Sequence, residues 1–154
     1  MISSIVVGTD GSETAAVAVA HAIELARALG ARLQVVSAYE PMPEGPLRSE
    51  RLRAPREVQW ETNAREDVLA LLESAERDAR DAGVQDVESF ARVGDAADAI
   101  LDVAEEQRAG LVVVGNKGMT GATRFLLGSV PNKVSHHAPC SVLIVRTSIS
   151  AGKS

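Results

Sequence analysis

Cysteine is nearly missing from this chain: Cys140 stands alone among 154 residues. No intrachain disulfide can form, so nothing calls for an oxidising compartment. Aromatic residues are scarce, at 3%. The core must then be built from Val, Leu, Ile and Ala, which favours Ala-rich helices packed closely on a Val/Ile sheet. Positive charge is in deficit, with a formal net charge of -5, and this argues against a general nucleic-acid or membrane-surface binder. Long apolar runs are lacking too; none approaches the roughly 20 residues of a membrane helix. The opening Met1-Ile2-Ser3-Ser4-Ile5 has neither the basic start nor the long apolar stretch of a signal peptide. The expectation is a cytoplasmic protein with no nucleic-acid and no membrane partner. Hydrophobic residues at 45% and charged residues at 24% are the mix of a globular protein, and the length fits one domain.

Short β-branched runs alternate with long Ala-rich stretches. Ile2–Val7, Leu33–Tyr39, Val87–Ala91, Leu111–Val114 and Ser141–Arg146 read as strands. A helix is predicted over residues 12–29, with Ser12 as N-cap, Gly30 as the stop, and Ala16, Val19, Ala20, Ile23 and Ala26 on its inward face. A second keeps Val68, Leu71, Leu72, Ala75, Ala79 and Ala82 on one face until Gly83. A third is capped by Asp95, with Asp98 in capping-box position, and a fourth runs from about Ser129 to His137. Residues 40–56 hold four of the six prolines and read as an exposed loop. The order βαβαβαβαβ implies an α/β fold, a parallel sheet with helices on both faces. Ligands of such sheets bind beyond the C-terminal strand ends, where the winding direction switches.

Two segments at those ends carry chemistry. Gly8-Thr9-Asp10-Gly11-Ser12 follows the first strand. Its glycines allow a sharp turn and close approach to a ligand. Asp10 can accept hydrogen bonds from a ribose, bind a metal, or simply cap the helix. Gly115-Asn116-Lys117-Gly118 follows the fourth strand, and Gly128-Ser129 comes nine residues later. Glycines that expose backbone N–H groups, next to a helix N-terminus, make an anion cradle. Ser129 can cap that helix and donate its hydroxyl to a phosphate, while Lys117 and Arg124 lie within the loop.

The spacing Gly115-x2-Gly118-x9-Gly128-Ser129 resembles the ATP-binding pattern of the universal stress protein family. Val6-Val7-Gly8-Thr9-Asp10-Gly11-Ser12 and Pro139-Cys140-Ser141-Val142-Leu143-Ile144-Val145 resemble that family's first turn and last strand. The resemblance implies one doubly wound five-stranded parallel sheet of order 3-2-1-4-5 over residues 1–147, with 148–154 as a tail. It implies a homodimer joined through the strand Val142–Val145. It also implies a site in which Thr9 and Asp10 lie at the adenosine and Ala38 contacts adenine through its backbone. Gly115, Asn116 and Gly118 would stand beside ribose and phosphate, and Gly128, Ser129 and Val130 would hold the phosphates. ATP is the expected ligand, with Mg²⁺ held at Asp10. Pro131 departs from the pattern: it replaces a hydroxyl residue and has no N–H. Leu126-Leu127-Gly128-Ser129-Val130-Pro131 resembles members that prefer cyclic AMP, which keeps cyclic AMP or AMP as an alternative ligand.

Other features carry less. Gly152-Lys153-Ser154 resembles the end of a phosphate loop but has no helix after it. His136 and His137 are helix neighbours that point apart, and Cys140 reads as a small buried or edge residue. No nucleophile–base pair or His/Cys metal cluster stands out. A nucleotide-sensing regulatory module with a protein partner of unknown identity is the favoured reading, with slow ATP hydrolysis at most. An adenylyl-transferring enzyme and a ligand-free interaction dimer are the other two classes.

Overall fold

A computed structural model describes residues 2–40, 65–116 and 128–147. Within these, five strands alternate with helices: β1 (Ser4–Gly8), α1 (Glu13–Leu29), β2 (Arg32–Tyr39), α2 (Arg65–Asp81), β3 (Val87–Val93), α3 (Ala96–Glu106), β4 (Leu111–Gly115), α4 (Ser129–His137) and β5 (Ser141–Val145). The strands form one sheet of order β3-β2-β1-β4-β5, and every pairing is parallel. The doubly wound α/β fold read from the sequence is therefore the fold observed. The expected loop over 40–56 and the expected tail over 148–154 fall, but for Glu40, outside the described residues.

Strand residues alternate between two cores. Ile5, Val7, Leu33, Val35 and Val113 pack under α1 and α2. Val6, Val36, Val112 and Val114 pack under α3 and α4. Because β1 and β4 are covered on both faces, Ile5, Val6 and Val7 and Val112, Val113 and Val114 are all buried, which is why these runs are apolar without alternation. The buried polar residue in this wall is paired: the Ser4 hydroxyl donates to Gln34 Oε1 at 2.8 Å.

The caps follow local chemistry. Ser12 Oγ accepts from the Ala15 N–H. Gly30, at φ 64°, sits in the left-handed region and sends its N–H back to Ala26 and Arg27 carbonyls. Asp95 accepts from the Asp98 N–H at 3.0 Å, although the Asp98 carboxylate goes to Lys133 instead of closing the box.

Three expectations need correction. The inward face of α1 is Ala18, Val19, Ala22, Ile23 and Ala26, while Ala16 and Ala20 are exposed. Residues 15–20 are all Ala or Val, so no polar side marks the helix's orientation until His21. Ala82 is exposed and beyond α2. The strand expected to end at Ala91 continues to Val93, because Arg92 and Val93 still pair with Ala38 and Tyr39.

Ser12→Ala removes the cap acceptor and should lower unfolding free energy by about 1 kcal/mol, while Ser12→Asn should lie close to wild type. Urea denaturation of the three proteins checks this.

Candidate functional site

The parallel ladders do not end at one level. β1 stays paired with β2 through Gly8↔Val36, and Thr9 N then donates to Val36 O at 2.9 Å. β4 stays paired with β5 through Gly115↔Val145, and Asn116 N donates to Val145 O at 2.9 Å. Between β1 and β4, however, pairing stops at Val7↔Val113. Each exiting chain is thus stitched to its outer neighbour, and a cleft opens between the two exits.

One wall of this cleft is apolar: Val36, Ala38, Ala96, Ile100, Val114, Val130 and Pro131. The other is the turn Gly8, Thr9 and Asp10 with Ala15, and Gly115 closes the far side. Of the residues expected at the site, Thr9, Asp10, Ala38, Gly115 and Val130 are brought together here. Gly128 and Ser129 begin the helix that carries Val130. Asn116 follows Gly115, but its side chain is turned to Thr147. Gly118, with Lys117 and Arg124, lies outside the described residues.

The β1 turn is wired by its own side chains. Thr9 Oγ1 accepts from Gly11 N at 3.2 Å, and Asp10 Oδ1 accepts from Ser12 N at 2.9 Å. Asp10 therefore shapes the turn and is not the helix cap, which is Ser12. Asp10 also lines the cleft. Gly11 carries the turn at φ 85°, a conformation that favours glycine.

Helix α4 presents donors in a way the sequence did not predict. Its N-cap is Gly128, not Ser129, and no side chain caps it. The Gly128 N–H is spent on Asn116 O at 3.1 Å. The N–H groups of Ser129 and Val130 and the Ser129 hydroxyl have no partner among the described residues, and the next residue, Pro131, has no N–H to add. A helix start with two open N–H groups attracts an anion. Lys133, one turn on, is already engaged with Asp98 at 2.8 Å and Asp95 at 3.5 Å. Its hydrogen bond to Asp98 raises the ammonium pKa. Among the described residues, the positive potential at this end of α4 comes from its peptide dipoles.

Sequence reasoning missed Ile100, Ala96 and Ser37. Ile100 and Ala96 are placed by the topology, which brings the start of α3 over the end of β1. Ser37 had a visible signal, a hydroxyl inside an apolar strand. It is 2% exposed, borders the cleft, and its Oγ is a buried side-chain atom with no hydrogen-bond partner among the described residues. Among the described residues no group of three His, Cys, Asp or Glu could hold a metal. Among the described residues Asp10 would hold a cation only together with oxygens from water or from a bound molecule.

Comparison with known proteins agrees with this geometry. The model of the universal stress protein family matches residues 1–146. The chain belongs to the universal stress protein family. It is 38% identical over 144 residues to universal stress protein Rv1636 of Mycobacterium tuberculosis, covering 94% of this chain and 96% of that one. A solved universal stress protein in complex with cAMP is 34% identical, with a TM-score of 0.71, covering 95% of this chain and 98% of the other. The Archaeoglobus fulgidus universal stress protein in complex with dAMP is 27% identical, with a TM-score of 0.62, covering 95% and 100%.

Two substitutions probe the cleft of this universal stress protein. A Cβ on Gly8 would lie 2.4 Å from Ile100 Cδ1 and 2.9 Å from Cγ1. Gly8→Ala should cost about 1–3 kcal/mol through overpacking, and Ile100→Val should restore part of it by removing Cδ1. A double-mutant cycle in urea measures that coupling. Ser37→Ala deletes an unpaired buried hydroxyl and should stabilise the ligand-free protein by about 1 kcal/mol. Loss of stability in the same assay would mean that the hydroxyl has a partner.

Proposed function

We propose that this protein is a regulatory module that binds an adenine nucleotide in the cleft between β1 and β4, and that it responds to ligand state instead of turning substrate over. The observation that carries this reading is the pairing of an apolar slot with a phosphate-sized donor set. Val36, Ala38 and Ile100 suit a flat base, Asp10 suits ribose hydroxyls, and the open N–H groups of Ser129 and Val130 with the Ser129 hydroxyl suit a phosphate. The residues present fit the group. Relatives in complex with cAMP and dAMP support the same ligand class.

ATP is the ligand that the family resemblance implies, with Asp10 as the residue to help hold Mg²⁺. Cyclic AMP is the second reading, and Pro131 favours it. Pro131 is buried in the first turn of α4 and lines the cleft, so the helix offers its donors at one place. A compact single phosphate uses such a set fully; a triphosphate needs donors spread along its tail. In this reading the protein acts in the cytoplasm as a homodimer paired through β5, whose outer edge has no partner strand among the described residues. Val142 and Ile144 pack toward the α3/α4 core, so lysines there would harm folding as well as pairing.

Calorimetry with ATP, ADP, AMP and cyclic AMP tests the reading: at least one should bind at micromolar Kd or tighter, about -8 kcal/mol. No heat from any of them in folded protein overturns it, and release of AMP and pyrophosphate from ATP would favour adenylyl transfer. Pro131→Thr should tighten ATP about tenfold more than cyclic AMP. Equal changes would move the preference elsewhere. Light scattering at tens of micromolar should give a dimer mass, and a monomer would remove β5 pairing.

A further inference from the structure

Asn116 spends three of its polar groups on holding separate chain segments together. Its N–H reaches Val145 O at 2.9 Å, and its C=O accepts from Gly128 N at 3.1 Å. Its side-chain Oδ1 accepts both the N–H of Thr147, at 2.9 Å, and the Thr147 hydroxyl, at 2.8 Å. Thr147 is 2% exposed and does not line the cleft. The residue where the chain leaves β4 and the residue where it enters α4 are therefore held to each other, and the first of them is anchored to buried chain beyond β5.

We propose that Thr147 and Asn116 are positioning residues for the phosphate end of the nucleotide site. This rests on the adenine-nucleotide reading above. The backbone bond from Gly128 to Asn116 sets how far Gly115 stands from the open N–H groups of α4. The two bonds from Thr147 fix the Asn116 side chain and so restrain the peptide that makes that closure. Donors already arranged lose less freedom when a phosphate arrives, and affinity gains by that saving. Neither residue needs to touch the ligand. The base end of the cleft, at Val36, Ala38 and Ile100, is built from other elements and owes nothing to the bridge.

That division gives the test. Full-length wild type, Thr147→Ser, Thr147→Val, Asn116→Ala and the Asn116→Ala/Thr147→Val double variant are titrated with ATP, cyclic AMP and adenosine, after urea melts identify which are folded. Thr147→Ser keeps the hydroxyl and should bind as wild type. Thr147→Val keeps the N–H but loses the hydroxyl, and should weaken the phosphate-bearing ligand about fivefold, the worth of one ordinary hydrogen bond. Asn116→Ala should weaken it about tenfold or more, and the double variant no further. Adenosine, which has no phosphate, should bind all of them alike. Unchanged ATP and cyclic AMP affinity in Thr147→Val, or an equal loss for adenosine, overturns the positioning role. If Asn116→Ala does not fold, the Thr147→Ser and Thr147→Val pair decides alone. Wild type that binds neither ATP nor cyclic AMP overturns the nucleotide reading and this role with it.

Discussion

Strands β1 and β4 pair in parallel only over Ile5–Val7 and Leu111–Val113, and the rest of the molecule is arranged by that short seam. The chain winds outward from β1 to β2 and β3, then returns to the other side of β1 to place β4 and β5. The two exits therefore belong to halves that wind in opposite directions. Each is pulled toward its own outer neighbour, Thr9 by Val36 and Asn116 by Val145. A buried seam cannot leave its backbone unpaired without cost, so the chains must part where those outer bonds take over. The cleft results from this bookkeeping of hydrogen bonds, before any ligand is considered.

The same geometry divides the cleft by chemistry. Residues of the α3/α4 face, Val36, Val114 and Ile100, continue the core up to its rim. The opposite rim is made of turn backbone and helix starts. A molecule with a flat apolar part and an anionic part meets matching surfaces in one place. Among the described residues near the start of α4, Lys133 is held by Asp95 and Asp98, which leaves the fixed N–H groups of α4 to meet an anion there. Such groups act over the first turn only, which favours a phosphate seated in contact over one steered from a distance.

Much of this could be read from the sequence, for physical reasons that differ by element. Leu111–Val114 declared itself because a strand buried on both faces tolerates no polar position. Ser12, Gly30 and Asp95 declared themselves because caps are local. The inward face of α1 was legible at Val19, Ile23 and Ala26 but not at its alanines Ala16 and Ala20, since Ala and Val fill residues 15–20 and burial there is decided by what β1 and β4 present. Ser129 suited a cap by type, yet Gly128 holds that place, with its N–H bonded to Asn116 O. The Asn116–Thr147 bridge spans 31 residues, and no periodicity or motif reports a contact at that distance. Asn116 is a ligand contact in what the resemblance implies, and the structure adds the hydrogen bonds that make it a junction between β4, α4 and the chain beyond β5.

The departures from ordinary core chemistry gather at one rim, and this bears on function independently of any resemblance. At the opposite end of the sheet Ser4 and Gln34 are buried and satisfy each other. At the cleft, among the described residues, the buried Ser37 hydroxyl has no partner, Gly8 leaves the space that Ile100 fills, and the first turn of α4 keeps open donors just before a proline. A buried hydroxyl without a partner lowers stability, and a fold selected for stability alone would place Ala where Ser37 stands. Proteins tolerate such losses where a site requires them. These departures lie between the exits of β1 and β4, at the place that the sheet's winding opens.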